Sequence, residues 1–166
     1  LIVVDEVYSN YVGDDYTAIA ARTNNVVSLR SLSKLGVPGL RVGYLVGTKA
    51  SIDKLRKYAL AHPIAGPCIK PAIEIIRNIK NVGGLIANQK AASNFLNKEL
   101  TNRGYEVIQS SANWLHLNLG SVAKKVYQLL SEKGVEVLPQ THPLLNGWLR
   151  ISTPHIEMMQ EFLNVF

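Results

Sequence analysis

Two short, largely apolar runs, residues 1–4 and 26–29, each stop abruptly on polar residues, and this pattern restricts the fold more than any other feature. Runs of this length are too short for an independent helix but suit strands buried in a parallel sheet, with a third strand over residues 42–46. The first run ends in Asp5-Glu6-Val7-Tyr8. The second passes into Ser31-Leu32-Ser33-Lys34-Leu35-Gly36-Val37-Pro38-Gly39-Leu40-Arg41. That loop collects two hydroxyls, an amine and a guanidinium, with glycines that let the backbone turn closely and a proline that stiffens it. Taken singly, these residues read as a polar strand edge, a solvated lysine and a serine-rich turn. Together they describe a place where an anion and a reactive amine share one site.

The rest of the chain reads as helices and a second sheet. Residues 51–61 carry Ile52, Leu55 and Ala59 on one helical face, with Ser51 as the cap, before His62-Pro63 and Gly66-Pro67 break the chain. Residues 69–81 form a second helix with Ile69, Ala72, Ile73, Ile76 and Ile79 on one stripe. Gly83-Gly84 interrupts it, and a long helix over residues 85–102 ends at Gly104. This helical connection divides the chain into residues 1–81, with the strand ends, and residues 82–166, a small α+β domain. In the latter, strands are expected over residues 105–108, 114–119, 135–138 and 148–151, and a helix over 122–132 stopped by Gly134. Pro154 is expected to open a final helix. The alternation around His116 places it on the polar side of its sheet, opposite Leu115 and Leu117.

Composition narrows the function classes. With 47% hydrophobic residues, the chain still has no apolar run approaching a membrane span, so no membrane partner is expected. A single cysteine, Cys68, excludes an internal disulfide and reads as a half-buried residue at a helix start. His142 and His155 lie near turns, without metal-ligand spacing to another His or Cys, so no metal is expected. The net charge of +6 is scattered over helices (Lys49, Lys54, Arg56, Lys57, Lys124, Lys125) with no interleaved aromatics, which argues against nucleic acid.

Asp5-x-x-Tyr8 at a strand end, Ser31-x-Ser33-Lys34 followed by Gly39-Leu40-Arg41, and Arg150 within Trp148-Leu149-Arg150-Ile151-Ser152 stand in a telling order. The chain thereby resembles, along its whole length, the fold type I pyridoxal-phosphate enzymes, specifically the class I and II aminotransferases. Residues 29–34 and 111–115 look most like the histidinol-phosphate group. The resemblance implies an α/β fold: residues 1–81 are part of a cofactor-binding large domain with a mostly parallel sheet, followed by the small α+β domain. It implies pyridoxal 5'-phosphate as cofactor, bound by Asp5, Tyr8, Ser31, Ser33, Lys34 and Arg41. Lys34 would form the Schiff base and shuttle the proton, and its amine must be unprotonated to do so, a state that a nearby cation and partial burial favour. Asp5 would keep the pyridine nitrogen protonated, and Tyr8 would donate to the ring's 3-oxygen. Ser31, Ser33 and Arg41 would hold the phosphate, while Arg150, helped by Asn113, would bind the substrate carboxylate.

The chain also departs from the pattern. Arg41 follows Lys34 by seven positions, where many relatives have eight. Pro139, Gln140, Thr141 and His142 stand where the histidinol-phosphate group carries an arginine for the substrate phosphate. At 166 residues, opening without methionine on a strand and stopping in a helical pattern, the sequence reads as the C-terminal half of a longer enzyme and as inactive alone. The expected whole is a cytoplasmic homodimer moving an amino group between an amino acid and a 2-oxo acid by ping-pong chemistry. The alternatives are an amino-acid-phosphate decarboxylase or lyase on the same fold, and the effector domain of an aminotransferase-like transcription regulator.

Overall fold

The computed structural model describes all residues from Leu1 to Phe166, and they divide into two compact units, Leu1–Leu85 and Ile86–Phe166. In the first unit β1 (Ile2–Asp5) is followed by two single-turn helices, α1 (Ser9–Val12) and α2 (Thr17–Ala20), and then by the central strand β2 (Val26–Ser31). That crossover lets β1 and β2 run parallel, pairing Asp5 with Leu29. Two 3₁₀ turns, Leu32–Lys34 and Pro38–Leu40, lead into β3 (Gly43–Gly47). This connection is too short for a crossover, so β3 returns antiparallel to β2. The sheet expected to be mostly parallel thus has one parallel and one antiparallel pairing. Nor is β1 buried as expected: Ile2 is 62% exposed, whereas Val27 and Ser28 on β2 are fully buried. Gly43 lets β3 close on β2, since a Cβ there would stand 2.9 Å from the Arg30 carbonyl oxygen.

Helix α3 (Lys49–Arg56) starts earlier than the sequence implies. Thr48, not Ser51, is the cap: its hydroxyl accepts the Ser51 N–H at 3.2 Å, the usual reach from a cap to the third helical residue. Ser51 is buried instead and its hydroxyl accepts the Asn25 N–H at 2.9 Å, fixing the entry to β2. Helix α4 spans Gly66–Arg77, with proline in its first turn. It ends where both the backbone and the side-chain nitrogen of Asn78 donate to the Glu74 carbonyl. A 3₁₀ turn (Ile79–Val82) then leads into α5 (Gly83–Asn102). Ala72 of the α4 stripe is buried, but Ile69, Ile73 and Ile76 stay exposed.

The second unit is built on α5, whose buried Ile86, Gln89, Ser93, Leu96 and Leu100 recur at alternating three- and four-residue steps. The helix closes with the Tyr105 N–H returning to the Leu100 carbonyl, next to Gly104 at φ +84°. Strands β4 (Val107–Gln109), β5 (Trp114–Asn118), β6 (Leu138–Pro139) and β7 (Trp148–Ser152) make an antiparallel sheet in the order β4-β5-β7-β6. Helices α6 (Ala123–Glu132) and α7 (Ile156–Val165) complete it. Leu115, Leu117 and Ile151 meet Leu96, Leu130, Met159 and Phe162 in one core. Strand β6 is shorter than the expected 135–138, because the Val135 N–H is spent on the Leu130 carbonyl closing α6. Pro154 does not itself open the last helix: His155, in extended backbone, is the cap, and the helix begins at Ile156.

Candidate active site

β1 and β2 are parallel, so both end at the same edge of the sheet, where open α/β sheets carry their ligand sites. Asp5 terminates β1 with its carboxylate exposed, and Oδ1 accepts the Val7 N–H at 3.1 Å, which turns the chain toward α1. Tyr8 caps α1 and is half-buried. At the end of β2, Ser31 caps the first 3₁₀ turn, its Oγ accepting the Ser33 N–H at 3.1 Å, and this turn presents Lys34. The Lys34 Nζ lies 5.0 Å from the Tyr8 ring centroid, over its face. The structure therefore brings together the two strand ends that the sequence linked only by pattern.

The loop then reverses at Gly36, φ +87°, where a Cβ would press on Leu85 at 3.0 Å. Arg41 closes the second 3₁₀ turn in the left-handed conformation, φ 53°. A non-glycine residue there is uncommon and costs on the order of 1 kcal/mol. Its guanidinium is exposed, donates to the Pro38 carbonyl at 3.3 Å and has no ion-pair partner. Lys34 likewise lacks a carboxylate partner. A cleft of about 500 Å³ takes in Asp5, Tyr8, Val12 and Tyr16, on the side of the group away from Lys34's own turn.

Behind this edge lies a buried polar cluster that sequence reasoning missed. Glu6, 6% exposed, accepts the Tyr16 N–H at 2.8 Å on Oε1 and the Ser28 hydroxyl on Oε2. Arg30, 7% exposed, lies 3.7 Å from Glu6 and 3.4 Å from Asp15, and donates to Thr17 at 3.1 Å and Asn10 at 3.3 Å. Hydrogen bonds from Thr17, with the Arg30 charge behind them, hold Asp15 below the usual carboxylate value. The readable signal was a charged residue inside a strand that is otherwise buried, which demands a partner. Tyr11 was missed as well: it is 1% exposed and donates from its hydroxyl to the Lys34 carbonyl at 2.8 Å.

Arg150 and Asn113 belong to the second unit. Arg150 sits on β7 opposite His116 of β5, with its guanidinium carbon 5.8 Å from the Trp114 ring centroid and no ion-pair partner. Asn113 is half-buried, and its carbonyl accepts the Thr153 N–H at 2.9 Å, tying the start of β5 to the end of β7. His116 lies on the sheet face it shares with Trp114 and Arg150, opposite the core-facing Leu115 and Leu117, as the alternation implied, but it is buried there. It is only 9% exposed, packed edge-on to Trp114 at 4.8 Å, and burial lowers its pKa. Cys68 is half-buried in the first turn of α4, and no group of three or more His, Cys, Asp or Glu is placed to hold a metal.

Residues 1–166 match the family model for aminotransferase class I and II. Among curated relatives, the histidinol-phosphate aminotransferase of Streptomyces avermitilis is 30% identical over 99% of this chain and 44% of its own. The chain spans less than half the length of the curated relatives it matches. Two solved structures share the fold. One is histidinol-phosphate aminotransferase from Sinorhizobium meliloti in complex with pyridoxal-5'-phosphate (TM-score 0.82, 21% identity, 99% of this chain and 48% of that one). The other is L-threonine-O-3-phosphate decarboxylase from Porphyromonas gingivalis (TM-score 0.82, 23% identity, 98% and 53%).

Proposed function

Because the chain belongs to the class I and II aminotransferases, we propose that it is the part of a pyridoxal 5'-phosphate enzyme that carries the reactive lysine. The observation that carries this reading is the Lys34 amine over the Tyr8 ring, at the edge where two parallel strands end. The residues fit the cofactor's chemistry. Asp5 supplies an exposed carboxylate for a protonated ring nitrogen, and Tyr8 a phenol for the ring oxygen. Ser31, Ser33 and the unpaired Arg41 supply two neutral donors and a planar fork for a phosphate. Lys34 would be the amine that holds the cofactor at its aldehyde carbon, with loss of water, and would serve as the base that moves a proton at the substrate's Cα.

When bound, the cofactor supplies an electron-accepting ring that stabilises negative charge at the substrate carbon. Everything else falls to side chains of the chain. Arg150 grips the substrate α-carboxylate and Asn113 helps to position it. The amino group passes from an amino acid to a 2-oxo acid in two half-reactions that share one site, which gives ping-pong kinetics. Residues 1–81 are assigned to the cofactor domain and 82–166 to the small domain of a cytoplasmic homodimer. No helix is long and apolar enough to cross a membrane.

The test uses the full-length protein. Borohydride reduction with pyridoxal 5'-phosphate is expected to leave a mass label on the Lys34 peptide, and Lys34→Ala to abolish both label and turnover. A label that survives Lys34→Ala unchanged removes the assignment of the amine. Incubating amino acids with and without a 2-oxo-acid acceptor separates transfer from decarboxylation. Carbon dioxide release without acceptor replaces the transfer reading with a decarboxylase, the activity of a protein that shares this fold.

A further inference from the structure

We infer that Tyr11 is a positioning residue for Lys34, setting the direction of its amine through the backbone. The inference rests on the proposed role of Lys34 and adds to it. Three contacts and the Lys34 side chain itself close a ring. The Tyr11 hydroxyl donates to the Lys34 carbonyl at 2.8 Å. The Tyr11 ring tilts against Tyr8 at 5.9 Å between centroids and 59° between planes. The Tyr8 face receives the Lys34 Nζ at 5.0 Å. The Lys34 side chain completes the circuit back to its own carbonyl. Tyr8 and Tyr11 are both on the α1 turn, three residues apart, so one short helix holds the lysine at both ends.

The hydroxyl is well suited to this work. Tyr11 is 1% exposed, and burial, with the neighbouring Tyr8, raises its pKa, so it remains a neutral donor through the working pH range. Lys34 ends a three-residue 3₁₀ turn whose Ser31 cap fixes its start and whose Leu35 N–H returns to the Leu32 carbonyl. The Lys34 carbonyl itself is met by Tyr11, across the sheet edge. Removing that bond leaves the ring packing in place but leaves the Lys34–Leu35 peptide held only by the Leu35 N–H bond to Leu32, which loosens the plane that aims the lysine side chain. A reacting group displaced by about 1 Å loses on the order of a hundredfold in rate, so a partial loss of aim is readable.

The experiment compares the full-length protein, Tyr11→Phe, and a third form carrying p-aminophenylalanine at position 11, which restores a para N–H donor. Two quantities are read. One is the rate at which the Lys34 peptide becomes borohydride-fixed to pyridoxal 5'-phosphate. The other is the rate of trace acetylation of Lys34 relative to exposed Lys49 without cofactor, a readout independent of turnover. Tyr11→Phe is expected to slow fixation about tenfold and to change the acetylation ratio, with phosphate inhibition of fixation unchanged. The p-amino form is expected to recover to within about twofold. Fixation and acetylation both unchanged in Tyr11→Phe overturn the inference while leaving the Lys34 assignment standing. Absence of label on Lys34 in the unaltered protein overturns both. Should Tyr11→Phe fail to fold, the p-amino form decides alone: fixation within about twofold of the unaltered protein supports the donor role, and fixation slowed about tenfold or more counts against it.

Discussion

Arg30 and Arg41 belong to one sheet and its edge, yet they live in opposite circumstances. Arg30 is buried and enclosed by Glu6, Asp15, Thr17 and Asn10. Arg41 is exposed, in left-handed backbone, and bonded only to a carbonyl three residues back. A buried guanidinium without partners is prohibitively unfavourable, so the first arrangement is one that folding demands. Nothing in folding demands the second: the strained backbone and the unpaired charge both cost a little stability. The contrast separates a cation enclosed by the fold from one left exposed without an ion-pair partner, as the proposed phosphate-binding role would require.

The largest expected effect breaks the enclosed side. Glu6→Ala leaves the largely exposed Asp15 as the remaining carboxylate beside the buried Arg30 and is expected to cost about 3–5 kcal/mol in urea unfolding of the full-length protein. It also removes the acceptor for the Tyr16 N–H and the Ser28 hydroxyl. Arg41→Ala, in the same assay, is expected to stay within about 0.5 kcal/mol. Comparable losses for the two variants would erase the distinction.

The second effect concerns ligands, not folding. Arg41→Ala is expected to weaken pyridoxal 5'-phosphate retention about 10- to 100-fold, the scale of a lost charge-assisted pair. Arg150→Ala is expected to leave retention intact and to raise the substrate KM by a similar factor. Equilibrium dialysis of the cofactor and initial-rate kinetics separate the two. Equal changes in both measures for both arginines would mean that the two cations do not divide the anions between them.

How far all this was legible follows from the range of the forces involved. The runs at residues 1–4 and 26–29 marked β1 and β2 because local apolar patterning decides a strand. Lys34, Asp5 and Tyr8 were singled out by their order, and the parallel pairing of β1 with β2 puts the strand ends that carry them side by side. Glu6 was dismissed as a polar edge because its partner Arg30 comes 24 positions later, and only the crossover brings them together. The burial of His116 was not legible, because alternation gives the face of a sheet but not what covers it. Trp114, on the same face, closes over the imidazole. The direction of β3 was fixed by connection length, a quantity present in the sequence but outweighed by the apolar content of the run.

The smallest effect sharpens the comparison in the second unit, where Arg150 is a half-exposed cation beside a buried base. Burial holds His116 below its ordinary value, the Arg150 charge adds to this, and the Gln140 side chain opposes it. Above about pH 6.5 the imidazole is neutral in both folded and unfolded chains, so it contributes no slope there. As the pH falls below that value the unfolded chain takes up its proton first, and stability declines until the folded imidazole also titrates. The slope is bounded by one proton, about 1.4 kcal/mol per pH unit, and is expected to lie well under that limit. His116→Gln is expected to flatten it, measured as the difference in Tm between pH 7 and pH 5.5 for the two proteins. An unchanged difference would mean that the acid sensitivity lies elsewhere, and that Arg150 stands beside a base that folding leaves unperturbed.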